Sequence, residues 1–540
     1  MKTSEFSEAQ ICSILYEQEI GCAGRSCVQN RFIGPVGIPM RYSICLFVIA
    51  LLLSTLAQAA EKPNILWVYI EDLSPYMGCY GDPINTGHTP AIDAFAQEGV
   101  LFKRAYVPAP VCSAARSAMI TGVMQTTIGA HHHRSSRSEK LETVVESRRN
   151  YLPEGVTTIP QLMKQAGYFT FNSGKDDYNF YYNRDDLYDV GTKPGTQPGA
   201  NPPPGNFAEH AGSFTQDTWG ARPDKNQPWF GQIMLRGGKG DIKYIRDGEM
   251  LADDEVPVPP YYPDTEGVRS YWTRHYNNVR GTDARLEELL KLLKEDGELK
   301  NTIVFFFSDH GNNQSLRHKQ FCYEGGVHVP LIIQGDHPML KAGTVRDDLV
   351  SGLDISVTTL ALGGADMPAY LEGRDLFAND FEPRRHVISA RDRCDYTIDR
   401  IRTVRTDRFR YIRNFYPGRA LLQPQYRDRW PITQDLHRLH AEGGLTEYQD
   451  AHWFGPRPVE ELYDIAADPF QINNLAADPA FVKELLRHRK ILEDWISETD
   501  DKGQYLENPA QLEYTYRRFT TGKKAFDGST FSAEYDPFKK

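Results

Sequence analysis

Asn64-Ile65-Leu66-Trp67-Val68-Tyr69-Ile70-Glu71-Asp72 sets an unbroken, β-prone apolar run directly before two carboxylates. Such a run without polar alternation reads as a strand buried on both faces, which delivers its acids at the C-terminal end. In open α/β sheets that edge is where ligands bind. Working outward, Thr89-Pro90 opens a helix with an N-cap and a proline at its first position, and Ile92, Phe95 and Ala96 supply the apolar face. Residues 100–107 resume as strand, 158–166 form a helix stopped by Gly167, and 168–172 and 229–235 read as further strands. Residues 283–293 carry the rhythm of an exposed amphipathic helix. The next buried strand spans 302–307 and ends in Ser308-Asp309-His310-Gly311, and 329–333 follows it. Helices alternating with apolar strands predict an α/β fold with a mostly parallel sheet covered on both faces.

After about Gly373 the pattern changes. Residues 386–390, 401–406 and 409–413 alternate apolar side chains with arginine, which suits an antiparallel sheet with one wet face, and 481–496 reads as a helix packed on it. The expected organisation is a first domain over 61–375, a smaller α+β subdomain over 376–500 and a polar tail over 501–540. Residues 191–227, rich in Gly, Pro, Asn and Asp, read as a long surface loop.

The 540 residues, 40% hydrophobic and 11% aromatic, suffice for a large packed core. With 61 Lys+Arg against 72 Asp+Glu the net charge is −11, which speaks against nucleic acid as a partner, so an anionic ligand has to be captured by a local basic pocket. Residues 40–60 join a basic start, an apolar run and Ala57-Gln58-Ala59, the pattern of a secretory signal peptide. Translation is accordingly expected to begin at Met40, with residues 1–39 a spurious extension, the mature protein secreted or periplasmic, and no stable membrane insertion. Beyond the signal the cysteines are Cys79, Cys112, Cys322 and Cys394, with no zinc-like spacing.

Chemistry concentrates at Cys112-Ser113-Ala114-Ala115-Arg116, where a thiol and a guanidinium one turn apart at a helix start describe an anion site. The pentapeptide alone is equally the opening of an ordinary helix. Glu71-Asp72 and Asp309-His310 offer a hard donor set that suits Ca²⁺ or Mg²⁺. Each pair taken singly is as readily a turn or a cap.

Together with their surroundings these segments resemble the type I sulfatases, in which the signature cysteine is oxidised to formylglycine. Pro63-Asn64-Ile65-Leu66, Thr89-Pro90-Ala91-Ile92-Asp93, Gly99-Val100-Leu101-Phe102, Gly174-Lys175, Tyr323-Glu324-Gly325-Gly326 and Glu461-Leu462-Tyr463-Asp464 follow in the family's order, so the likeness covers most of residues 63–500. The C-terminal half is most similar to N-sulfoglucosamine sulfohydrolase. The resemblance implies an alkaline-phosphatase-like fold and a divalent metal, Ca²⁺ with Mg²⁺ as the alternative, held by Glu71, Asp72, Cys112, Asp309 and His310. It also implies a formylglycine at position 112, made by a maturation enzyme, whose hydrated form attacks sulfur and later expels sulfate. Arg116, Lys175 and Lys319 would hold the sulfuryl oxygens.

Three departures stand out. Glu71 occupies a place where aspartate is usual. The usual Lys-x-His is Lys175-Asp176-Asp177, and Arg236-Gly237-Gly238-Lys239 stands where a second histidine is common. General acid help is worth about 10²–10⁴ in rate, so a replacement is expected, with Lys239 or His133 as candidates. Arg236 and His131, and in the second domain Arg391 and Arg393, are the expected substrate contacts; a structural ion pair is an equal reading for the last two. The expected activity is hydrolysis of a sulfated oligosaccharide or polysaccharide. The alternatives are a phosphomonoester or phosphonate hydrolase of the same superfamily and an inactive glycan-binding protein.

Overall fold

The computed structural model describes residues 62–134, 150–190, 216–239 and 244–520. The expected extension, the signal peptide, most of the 191–227 loop and the end of the tail lie outside the described residues. Seven strands form the first sheet: β1 (Asn64–Ile70), β2 (Val100–Tyr106), β3 (Phe169–Ser173), β4 (Trp229–Leu235), β5 (Thr302–Ser308), β6 (His328–Gln334) and β7 (Thr344–Ser351). Their order is β3-β4-β1-β5-β6-β2-β7, and β6 alone runs antiparallel to its neighbours. Every residue of β1, β4 and β5 is buried, as the nearly unbroken apolar runs of β1 and β5 require.

Two apolar cores cover the faces. One packs α2 (Cys112–Thr121), α3 (Ile159–Gln165) and α5 (Gly352–Leu362) on the sheet; the other packs α1 (Pro90–Gln97) and α4 (Glu266–Glu295). Helix α4 is longer and more buried than its sequence rhythm indicates. Its first half carries polar residues that have partners inside: Asn277 and Asn278 donate to Leu251 O and Gly238 O, and Arg280 donates to Asn85 Oδ1 and Glu249 O. Asp283 accepts the Ile92 N–H at 2.7 Å. Polar groups satisfied in this way break the 3.6-residue hydrophobic period without breaking the helix.

The second sheet, β11-β10-β9-β8, is antiparallel throughout and comprises β8 (Val387–Arg391), β9 (Ile401–Arg405), β10 (Phe409–Asn414) and β11 (Glu460–Asp464). It has no wet face of the expected kind. One side packs on α8 (Val482–Thr499) through Val404, Phe409, Tyr411, Leu485 and Leu492. On this sheet Arg405 and Arg410 turn inward and donate to Glu324 Oε1 at 2.8 Å each, tying the two sheets together. Between β10 and β11 the chain forms two further helices, α6 (Pro431–Glu442) and α7 (Glu447–Phe454). The described part of the tail is also packed: Asp501 bridges Arg400 and Arg402, Glu507 pairs with Arg393, and α9 (Pro509–Thr520) follows. Trp219, inside the expected surface loop, is buried against Phe171 and Trp229.

Glu324 supplies a test of this arrangement. Burial pushes its carboxyl up, but Arg410 and Arg405 outweigh that and bring it down to about 2. The folded protein therefore takes up this proton later than the unfolded chain does, so the bridge contributes stability above about pH 4.5 that is lost as pH falls toward 2. Glu324→Gln should lower unfolding free energy by about 3 kcal/mol at pH 7 in urea titration and flatten the acid limb of the stability profile.

Candidate active site

Strand register decides which side chains meet. Ile70 at the end of β1 pairs with Leu235 of β4 on one side and Ser308 of β5 on the other. Glu71, Arg236 and Asp309 therefore leave the sheet side by side. Lys175 follows β3 on the same edge, and Cys112 follows β2, which runs the same way. Helix α2 starts at Cys112 and its N-cap, Val111, has no side chain to satisfy the first N–H groups. It ends at Gly122, whose φ of 70° closes the helix in the left-handed region.

The loop after β4 explains its own glycines. Gly238 N–H donates to Glu71 O at 2.8 Å, and a Cβ on Gly238 would stand 2.0 Å from Asp72 O. Only glycine lets this backbone lie against the Glu71-Asp72 turn, where Asp72 itself has φ 63°. Lys239 is thereby carried over the site.

At the centre, Asp72, Cys112, Asp309 and His310 bring one donor atom each to within 4.8 Å of one another, all buried. His310 Nε2 lies 2.8 Å from Asp72 Oδ1 and 3.1 Å from Cys112 Sγ, while its Nδ1 faces Gly311 O at 2.9 Å. Asp309 Oδ1 accepts Asp72 N–H at 3.0 Å, and its Oδ2 accepts Arg116 Nε at 2.9 Å. The Arg116 guanidinium also lies 4.4 Å from the Tyr69 ring centre, over its face. Lys319 Nζ sits 2.8 Å from Asp72 Oδ2 and 3.3 Å from Cys112 Sγ, and Lys239 Nζ is 3.9 Å from the same sulfur.

Charge controls protonation throughout. Burial pushes the Cys112 thiol up, but the ammoniums of Lys175, Lys239 and Lys319 outweigh it and bring it down to about 6. Burial alone would keep His310 neutral; Asp309 and Asp72 reverse this and hold it up to about 10. The carboxylate pair thus draws positive charge into a dry pocket. Two hard carboxylates and an imidazole suit Ca²⁺ or Mg²⁺, and position 112 completes the set when it presents oxygen instead of the softer sulfur.

Glu71 stands outside this cluster. Lys175 and Lys239 hold its Oε1 at 2.7 and 2.6 Å, and despite burial they keep it well below the usual carboxylate range. Of the five expected metal ligands, four converge, and Glu71 instead anchors Lys175 and Lys239. Lys175 pairs in addition with Asp177 at 2.7 Å.

The other expected contacts are placed as follows. His133 is buried with Nδ1 3.2 Å from Asp395, and burial followed by the charge of Arg134 lowers it to about 3, which leaves the ring neutral. Neither ring nitrogen of His131 has a hydrogen-bond partner among the described residues. Arg236 is half-buried at the start of the glycine loop. Arg391 is buried against Asp399 and Gln423, and Arg393 against Glu507. Sequence reasoning passed over Arg134, whose N–H donates to Ser113 Oγ at 3.0 Å and whose guanidinium stands 4.0 Å from Asp177. It also passed over Tyr426, whose ring lies 5.9 Å from Lys319 Nζ. Nothing in the His-His-His-Arg run or in residues 414–458 signals either position.

Known proteins agree with this geometry. The sulfatase family matches residues 63–365. An ulvan-active sulfatase of Formosa agariphila is 31% identical over 478 residues, covering 82% of this chain and 76% of its own. The human N-sulphoglucosamine sulphohydrolase is 27% identical over 489 residues, covering 82% and 91%, so that branch is not singled out as the expected likeness had it. In three dimensions, a 2-O GAG sulfatase superposes with a TM-score of 0.58 at 22% identity, covering 88% of this chain and 100% of that one, which bears on the fold alone. With its family match, its site geometry and a relative of this similarity, the chain belongs to the sulfatases and carries their buried nucleophile and metal-binding cluster.

Proposed function

We propose that this protein is an exported enzyme, directed by residues 40–60, that removes ester sulfate from a sulfated oligosaccharide or polysaccharide. The observation that carries this reading is the ring of Lys175, Lys239, Lys319 and Arg116 around position 112, beside a carboxylate pair suited to Ca²⁺. Among the described residues no helix is long and apolar enough to cross a membrane. The sulfated-sugar assignment is supported by the relative active on ulvan.

Asp72 and Asp309 would hold the divalent ion, joined by His310 once the ion displaces its proton, and the ion would supply Lewis-acid stabilisation of oxygen charge. A formylglycine at position 112, installed by a maturation enzyme, supplies a nucleophile that can release sulfate again by reverting to the aldehyde. The chain's own groups do the rest. Lys319 and Arg116 orient the sulfuryl oxygens, because both are buried beside position 112 and fixed by Asp72 and Asp309. Lys239 is the most exposed of the three lysines, at 28%, against 11% for Lys175 and 2% for Lys319. It therefore faces the side from which the leaving group departs. Burial works against its charge, and Asp72 and Glu71 keep it protonated. Its proton passes to a strongly basic leaving oxygen as the S–O bond breaks.

Lys239→Ala should accordingly lower kcat on an alkyl or sugar sulfate by about 10²–10⁴ while changing 4-nitrophenyl sulfate turnover far less, since nitrophenolate leaves without a proton. A comparison of aryl sulfate and aryl phosphate should favour sulfate; a preference for phosphate selects the phosphomonoester or phosphonate alternative. Release of sulfate from N-sulfoglucosamine but not from O-sulfated sugars would move the assignment to N-sulfo cleavage. Intact-mass analysis of protein from its own host should show position 112 oxidised.

Metal binding has a separate readout. Calcium at a hundredfold excess over Kd should stabilise the matured protein by about 2.7 kcal/mol, seen as a rise in Tm that chelation reverses and Asp309→Asn abolishes.

A further inference from the structure

Two clefts meet at Arg104, and neither contains a residue of the anion site. The first encloses about 580 Å³ and is lined by Arg104, Arg384, Arg385, Arg408 and Arg487, with three carboxylates among them. Four of these guanidiniums have carboxylate partners, Asp347 and Asp407 for Arg104, Asp354 for Arg384, Asp464 for Arg408 and Glu484 for Arg487. The guanidiniums are not all committed. Arg385 is exposed and has no ion-pair partner among the described residues. Arg408 and Arg487 remain 63% and 51% exposed over Asp464 and Glu484. Pairs so exposed are worth little, so both forks are available to a stronger anion.

The second cleft, of about 620 Å³, is walled by aromatic rings, among them Tyr76, Tyr80, Tyr261, Trp272 and Tyr276, with Lys103 and Arg104 also in its lining. The fold builds this junction. The register of β2 slips between Phe102 and Ala105, and the Tyr80 hydroxyl enters the gap, accepting Leu331 N–H at 2.7 Å. Lys103 and Arg104 are the residues of β2 that the irregularity leaves facing out, and exposed Lys103 has no side-chain partner among the described residues. Arg104 thus lines both clefts at once.

Aromatic faces beside forked cations match the two halves of an anionic sugar: the apolar face of the ring, and its sulfate or carboxylate groups. A lone inorganic anion would use only the first cleft. Arg104 precedes Cys112 by eight residues, so their backbones lie no more than about 29 Å apart, within the span of a single polymer. We propose that the joined clefts at Arg104 are a second binding site for anionic polysaccharide, gripping the polymer away from the group being hydrolysed. The proposal rests on the sulfated-carbohydrate reading above.

The test is Lys103→Glu combined with Arg385→Glu, one charge reversed in each cleft at side chains without internal partners, in the full-length protein. Dextran sulfate should bind this variant at least tenfold more weakly than the wild type, with a shallower dependence on salt. KM for sulfated polysaccharide should rise while kcat, Tm and 4-nitrophenyl sulfate turnover stay unchanged, and Arg385→Lys should restore part of the affinity. Neutral dextran serves as the uncharged control. Unchanged affinity for dextran sulfate would overturn the proposal, as would a DNA duplex bound as tightly and lost in the same variant. An enzyme that hydrolyses no sulfate ester but still loses dextran sulfate on charge reversal would sink the sulfatase reading and leave the second site standing.

Discussion

Two carboxylates with no solvent exposure, Asp72 and Asp309, have to be neutralised where they stand, and the site is organised around that need. Arg116 answers Asp309 from one turn into α2, Lys319 answers Asp72, and His310 is protonated between them. The same positive charge then acts on position 112, so metal affinity and anion affinity come from one set of groups. The sheet makes this possible. Carboxylates on neighbouring strands of shared register are forced together before any side chain chooses a partner.

Loss of the two expected histidines, with Asp177 at one place and Lys239 at the other, alters the character of the pocket. An imidazole changes charge near neutrality, whereas Lys239 is held charged by Asp72 and Glu71. Glu71 has a matching part: its longer arm reaches sideways to two ammoniums instead of inward to the donor cluster. The three departures from the usual pattern form one local network.

Strands β1 and β5 were legible because burial on both faces demands a nearly unbroken apolar run of strand length. The cluster at Asp72, Cys112, Asp309 and His310 was legible because hard donors at strand ends and a helix-start thiol obey simple geometric rules. What escaped was polar burial. The middle of α4 hides Asn277, Arg280 and Asp283, and the second sheet hides Arg391, Arg402, Arg405 and Arg410, where alternation with apolar residues spells a solvated face. Local periodicity assumes that charge means water, and a charge whose partner lies a hundred residues away defeats it. Arg134 and Tyr426 escaped for a related reason: only tertiary folding brings them to Cys112 and Lys319.

Glu324 lies five residues beyond Lys319 and is gripped by Arg405 and Arg410 of the other sheet. The loop that carries the buried Lys319 ammonium beside Cys112 is therefore clamped from the C-terminal part of the chain. Excising that part to obtain a minimal enzyme would strip the clamp from the catalytic loop, and the two segments are bound to be inherited, expressed and engineered as one piece.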